Sequence, residues 1–240
     1  MIFNSMFLSL LRWIGLVLSL LLFGGLALIG SPFDGKGRIH DFCARHWGKF
    51  LLWVCGARVT VVGGERLKMK LPVIVMSNHR SHLDAAAILS VLPFGVRFLA
   101  KRELQWIPIF GWAMAATGHV YVDRGRREKA FESIQRAAKR VQEGKNMLVF
   151  PEGTRGHGTE LLPFKKGGFI LAIESQVPIL PIAALGTEGI LPKGGVRITP
   201  GEVRLIVGKP ILTRGHTYES RDALIEEVRK AIEKGMKSEV

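Results

Sequence analysis

The sequence predicts an α/β protein: a mixed, largely parallel sheet flanked by helices, preceded by an N-terminal two-helix motif that anchors to a membrane. Three observations lead there. Residues 1–33 hold a single charged side chain, Arg12. From residue 58 onward, short runs rich in β-branched residues alternate with segments of helical length and composition. The charge is uneven as well: 34 Lys and Arg against 20 Asp and Glu give +14 overall, nearly all of it downstream of the apolar start.

Trp13 to Gly30 is an uncharged apolar run close to the length a helix needs to cross a bilayer, and Gly30-Ser31-Pro32 stops it. Nothing basic precedes Arg12 and no small-x-small site follows the run, so it is expected to be retained rather than cleaved as a signal peptide. Arg38 to Cys55 then places Cys43, Trp47, Phe50, Leu51 and Val54 on one face of a second, amphipathic helix, with Arg45, His46 and Lys49 elsewhere. Such a helix suits either a bilayer interface or the cover of a core, and its position directly after an apolar helix favours the interface. The cations Lys36, Arg38, Arg45 and Lys49 point the rest of the chain toward the cytosol.

Strands are predicted at Val59–Val62, Val73–Ser77, Arg97–Ala100, Val120–Asp123, Met147–Phe150 and Ile179–Leu185, with helices at Asp84–Val91, Ile109–Ala116, Arg126–Glu143 and Lys165–Ser175. Val196–Thr199 and Val203–Val207, joined by Pro200-Gly201, read as a hairpin, and Ser220–Lys237 as a closing charged helix. With no internal repeat or low-complexity linker, one boundary is expected near residue 56, separating a membrane-associated helical pair over 1–55 from a larger domain over 56–240.

A surface this basic attracts nucleic acid, anionic lipid or phosphorylated small molecules, and charge alone does not choose among them. Cys43 and Cys55 have neither zinc nor redox spacing, so they read as buried thiols, and no metal site or disulfide framework is expected.

Candidate chemistry collects at strand ends. Ser77-Asn78-His79-Arg80-Ser81-His82-Leu83-Asp84 follows an apolar strand and opens an Ala-rich helix. A histidine in the turn and an aspartate in the first turn of the helix can meet, so that the carboxylate accepts from one imidazole nitrogen and leaves the other free to take a proton. That arrangement suits general-base activation of a hydroxyl. Of the seven histidines only His79 has an aspartate at this offset, and His82 is its local rival. The same residues also fit a capping aspartate beside a turn histidine. Phe150-Pro151-Glu152-Gly153-Thr154-Arg155 follows another strand. There Arg155 can fork onto a phosphate, Thr154 and the turn amides can add donors, and Glu152 can accept from a hydroxyl or order the arginine. A Pro-Glu-Gly turn is also common surface structure. Asp123-Arg124 and Lys101-Arg102-Glu103 end two further strands. In a parallel sheet Lys101, Arg124 and Arg155 share one edge and can converge on an anion; otherwise they form a row of solvated cations. Val177 to Ile182 is an apolar strand bracketed by prolines.

In this order the segments resemble the glycerolipid acyltransferase family, most closely the enzymes that acylate 1-acyl-glycerol 3-phosphate. Asn78-His79-x-Ser81-x-x-Asp84 looks like the family's first block, Gly118 to Arg124 its second, Phe150 to Arg155 its third and Val177 to Pro181 its fourth; with Lys101, Glu103-Leu104, Pro108 and Gly111 the resemblance spans residues 73 to 185. It implies that His79 and Asp84 form the catalytic dyad, that Arg124, Glu152, Gly153, Thr154 and Arg155 hold a glycerol-phosphate acceptor, and that Lys101 is a further phosphate contact. The family usually has a small polar residue where this chain has Gly156, before His157. The resemblance further implies a helical pair seated in one leaflet, a catalytic domain over 56–240, direct acyl transfer without an acyl-enzyme, and no metal or cofactor. Acyl-CoA or an acyl-carrier protein would be the donor, lysophosphatidic acid the acceptor and the lipid bilayer the partner, with no nucleic acid involved. Glycerol 3-phosphate or another lysophospholipid is the alternative acceptor, and a basic lipid-binding scaffold the alternative outside enzymes.

Overall fold

Strand β2 (Ile74–Ser77) is wholly buried, every residue at 0% exposure, and the rest of the fold is arranged around it. The computed structural model describes residues 2–69, 72–123, 125–158 and 160–238. Within it, β2 is flanked by β5 (Asn146–Val149) on one side and β6 (Ile179–Leu185) on the other, both parallel to it. Beyond β5 lie β3 (Val96–Lys101) and β4 (Val120–Val122), and beyond β6 lie β7 (Gly201–Val207) and β1 (Ala57–Val62), making a seven-stranded sheet of order β1-β7-β6-β2-β5-β3-β4. Only the β6–β7 junction is antiparallel. The strands from β6 to β4 therefore end on one common edge, as the predicted largely parallel sheet requires.

Parallel neighbours need crossovers, and the crossovers put helices on both faces. Alternation along β2 sends Val75 to one face, where it joins Ala87 and Ile88 of α3 (Leu83–Val91) and Leu51, Leu52 and Cys55 of α2 (Arg38–Cys55). Ile74 and Met76 face the other side. There they meet Val141 of α5 (Arg127–Gln142), Phe169 of α6 (Gly167–Ser175) and Val228 of α8 (Arg221–Met236). The short helices α4 (Phe110–Ala116) and α7 (Thr187–Ile190) complete the set.

The helical pair predicted over residues 1–55 is built as α1 (Ile2–Gly30) and α2, but the two differ in what they bury. Helix α2 is part of the sheet's own core rather than a second interfacial helix. It approaches α3 so closely that a Cβ on Gly48 would stand 2.7 Å from the Ala86 carbonyl oxygen. On its outer side Phe42 and Trp53 remain exposed. Helix α1 turns Ser9, Ser19 and Ala27 toward the protein and leaves Leu10, Ile14, Leu18, Leu22, Leu26 and Ile29 exposed.

The expected hairpin is absent because β7 already has β6 and β1 on its two sides. Val196–Thr199 runs instead as irregular chain beneath α1. Arg12 Nη1 donates to the Ile198 carbonyl at 2.7 Å, Trp13 Nε1 donates to the Val196 carbonyl at 2.7 Å, and the Ile198 amide donates to Ser9 Oγ at 3.2 Å.

Candidate active site

The turn after β2 is clamped before it carries any chemistry. Asn78 Nδ2 donates to the Ala184 carbonyl at 2.7 Å, and the Ala184 amide donates back to Asn78 Oδ1 at 2.8 Å, so the turn is tied to β6. Ser81 Oγ donates to the Leu191 carbonyl at 2.6 Å. Between these ties the chain reverses into α3, with Asp84 in its first turn.

His79 Nδ1 then lies 2.9 Å from Asp84 Oδ2. A carboxylate can only accept, so the Nδ1 position carries the proton and Nε2 presents its lone pair. No hydrogen-bond partner for Nε2 is found among the described residues. The same Oδ2 accepts from the amides of Arg80 at 2.6 Å and Ser81 at 2.8 Å, while the Thr187 hydroxyl donates to Oδ1. Asp84 is fully buried, whereas the His79 side chain keeps 18% of its surface open. Its ring stacks on Phe150, centroids 4.1 Å apart and planes 17° from parallel. The histidine is thus held by a carboxylate on one nitrogen and a ring on its face.

The Phe150–Arg155 turn follows β5, the neighbour of β2, and it divides by function. Glu152 points inward with no exposed side-chain surface. Its Oε1 accepts from the His79 amide at 2.8 Å, and its Oε2 accepts from Arg80 Nη1 at 2.9 Å and the Leu162 amide at 2.9 Å. The arginine that Glu152 orders is Arg80, not Arg155, and no oxygen is left facing outward for a substrate hydroxyl. Gly153 turns the chain with φ +72°, after which Thr154 is exposed and Arg155 half-exposed. The Gly156 amide donates to the His79 carbonyl at 2.8 Å, and a Cβ there would lie 2.0 Å from Arg80 Nη1. Glycine at this position leaves room for the buried Arg80–Glu152 ion pair.

Loss of surrounding water, then the positive charge of Arg155, hold the His82 imidazole below its ordinary value. Lys193, from the loop after α7, donates to the Arg155 carbonyl at 2.8 Å and adds a cation that the sequence did not suggest. Lys101 ends β3 on the same edge, two strands from β2, mostly exposed and 3.0 Å from Glu103. Asp123 pairs with Arg102 at 2.6 Å, and Arg124 lies outside the described residues. Arg80 and Thr187 were missed for a physical reason: their partners are Glu152 and Asp84, 72 and 103 residues away. One signal was available for Thr187, since it stands one residue past a strand that ends on the same edge as the rest.

An α/β sheet with a histidine–aspartate turn at the end of its central strand and cations along the same edge defines the acyltransferase class. The chain belongs to the Acyltransferase family, whose profile matches residues 58–185. It is 36% identical over 234 residues to a Saccharomyces cerevisiae 1-acyl-sn-glycerol-3-phosphate acyltransferase, which covers 93% of this chain and 76% of that one. To the human 1-acyl-sn-glycerol-3-phosphate acyltransferase alpha it is 36% identical over 181 residues, 75% of this chain and 64% of the relative's length. The crystal structure of the 1-acyl-sn-glycerophosphate (LPA) acyltransferase PlsC from Thermotoga maritima superposes with a TM-score of 0.83 at 27% identity, covering 98% of this chain and 95% of that one.

Proposed function

We propose that this chain transfers an acyl group from an acyl thioester to the sn-2 hydroxyl of lysophosphatidic acid, giving phosphatidic acid for phospholipid biosynthesis. The observation that carries the reading is the 2.9 Å contact between His79 Nδ1 and Asp84 Oδ2, in a chain similar over most of its length to enzymes named for that reaction.

In this mechanism His79 Nε2 takes the proton of the acceptor hydroxyl as its oxygen bonds to the thioester carbonyl carbon. Asp84 stabilises the imidazolium that forms and keeps the ring from turning. The tetrahedral oxyanion then collapses, the carbon–sulfur bond breaks, and the imidazolium returns its proton to the departing thiolate. A thiolate is a good leaving group, so the protein's main tasks are alignment and stabilisation of the oxyanion. Arg155, Thr154 and the Gly153 turn hold the acceptor phosphate, with Lys101 and Arg124 as further contacts and Lys193 strengthening the local positive field. Glu152 contributes by fixing the His79 turn and Arg80.

The exposed row of α1 seats the protein on the bilayer, with the active site on the cytoplasmic side. Helix α1 is docked on Ile198 through Arg12 and, at its C-terminal end, against Ile39 beside Gly30, so it lies along the domain with its outer face in one leaflet. An acceptor already in that leaflet reaches His79 without its acyl chain being drawn fully into water.

The test is product analysis by mass spectrometry with purified protein on vesicles, offering lysophosphatidic acid, glycerol 3-phosphate and lysophosphatidylcholine with acyl-CoA or acyl-carrier protein as donor. Phosphatidic acid from lysophosphatidic acid is the expected product. Acylation of only another acceptor would overturn the substrate assignment, and no transfer with either donor would overturn the reaction.

A further inference from the structure

Asp84 is held unevenly. Its Oδ2 receives three hydrogens, from His79 Nδ1 at 2.9 Å, the Arg80 amide at 2.6 Å and the Ser81 amide at 2.8 Å. Its Oδ1 receives one, from the hydroxyl of Thr187. Thr187 is fully buried at the start of α7, and a Glu188 carboxylate oxygen 3.4 Å from its hydroxyl is a far weaker competitor for that hydrogen. We propose that Thr187 is a positioning residue for acyl transfer, locking the rotation of the Asp84 carboxylate so that Oδ2 stays on His79 Nδ1. The proposal rests on the general-base reading of His79 given above.

Turning the carboxylate about its Cβ–Cγ bond would exchange its two oxygens or swing both out of line. Three donors on Oδ2 do not prevent a partial turn if Oδ1, buried and without a donor, gains by seeking one of them. A hydroxyl fixed on the far side removes that gain. The segment from β6 through α7 already holds the neighbouring turn, at Asn78 through Ala184 and at Ser81 through Leu191. Among the described residues of that segment, Thr187 is the one that touches the carboxylate itself.

The local backbone is shaped for this contact. Gly186 has φ +87°, and a Cβ there would stand 2.1 Å from the Glu202 carbonyl oxygen of β7. Only glycine lets the chain turn there sharply enough to bring Thr187 under α3. The segment matched by the family profile ends at residue 185, so Thr187 lies beyond it.

The experiment compares wild-type, Thr187→Val and Thr187→Ser in the full-length chain on vesicles, reading kcat, both substrate KM values and the thermal midpoint. Valine keeps the shape and removes the donor; serine restores it. The expected result for Thr187→Val is a kcat lowered roughly ten- to hundredfold, with both KM values and the thermal midpoint close to wild-type, and Thr187→Ser recovering most of the kcat. Should Thr187→Val not fold, Thr187→Cys takes its place with the same expected split, because a thiol is a weak donor. An undiminished kcat, a loss confined to KM, or equal impairment of the valine and serine variants would each overturn the proposal. A His79→Ala variant run alongside that keeps most of the wild-type kcat would instead overturn the general-base reading beneath it, so the two failures are distinguishable.

Discussion

Glu152 occupies the place of a substrate-holding residue and uses both carboxylate oxygens inside the protein. It faces Arg80 across 2.9 Å with both side chains buried, so removing one partner strands the other charge away from water. Glu152→Ala is expected to cost about 3–5 kcal/mol of stability, as measured by denaturant unfolding. A near-neutral change would show that the Glu160 carbonyl, to which Arg80 Nη2 also donates at 2.5 Å, is enough to hold the guanidinium. Arg155, by contrast, sits half open on the turn after β5. Arg155→Ala is expected to raise the acceptor KM roughly tenfold with little change in kcat, the pattern of lost ground-state binding; an unchanged KM would remove it from the phosphate site. At this scale the sequence was readable where partners are close along the chain. His79 and Asp84 are separated by five residues across one turn, and their contact follows from that turn. The Arg80–Glu152 pair and the Thr187 contact depend on which strands become neighbours, and no local pattern encodes that.

Among the elements, α2 and β6 have the bounds expected of them because Gly37 and Gly56 flank the helix, while Pro178 precedes the strand and Gly186, at φ +87°, follows it. Val196–Thr199 was misread because β-branched composition reports propensity, whereas pairing requires a free edge on β7. Helix α2 also carries a feature that no periodicity reveals. His40 is buried against His119, their Nε2 atoms 3.3 Å apart, and the Phe98 amide donates to His119 Nδ1 at 2.9 Å. His119 must therefore carry its proton on Nε2 and donate to His40, which requires both rings to be neutral. Burial first, then the nearby Arg97 charge, lowers His40 to about 3, and burial, with His40 and the Arg97 charge nearby, puts His119 well below its ordinary value. Both are depressed on folding, so their contribution is complete above the unfolded value near 6.5 and is lost as pH falls below it, for His40 down to about 3. Unfolding free energy is expected to decline over that window at up to roughly 1.4 kcal/mol per pH unit for each ring, and His40→Gln with His119→Gln should flatten the slope. A slope unchanged by the double substitution would contradict this origin.

At the scale of the whole molecule, the apolar start and the +14 charge were visible in composition, and the division of labour between the first two helices was not. Helix α1 exposes its apolar row, while α2 contributes Leu51, Leu52 and Cys55 to the central core. Two truncations separate the roles. Removing residues 1–33 is expected to release the chain from vesicles in a sedimentation assay with its circular dichroism retained. Removing residues 1–55 also uncovers α3 and is expected to unfold or aggregate the chain, since each large core side chain contributes about 1.5–3 kcal/mol. A 34–240 chain that still sediments with lipid would place the anchor elsewhere. The most direct test of the chemistry is the rate of phosphatidic acid formation by vesicle-bound His79→Ala. A fall of roughly a hundred- to ten-thousandfold with vesicle attachment intact is the result expected if His79 is the general base; a variant that keeps most of the wild-type rate would contradict it.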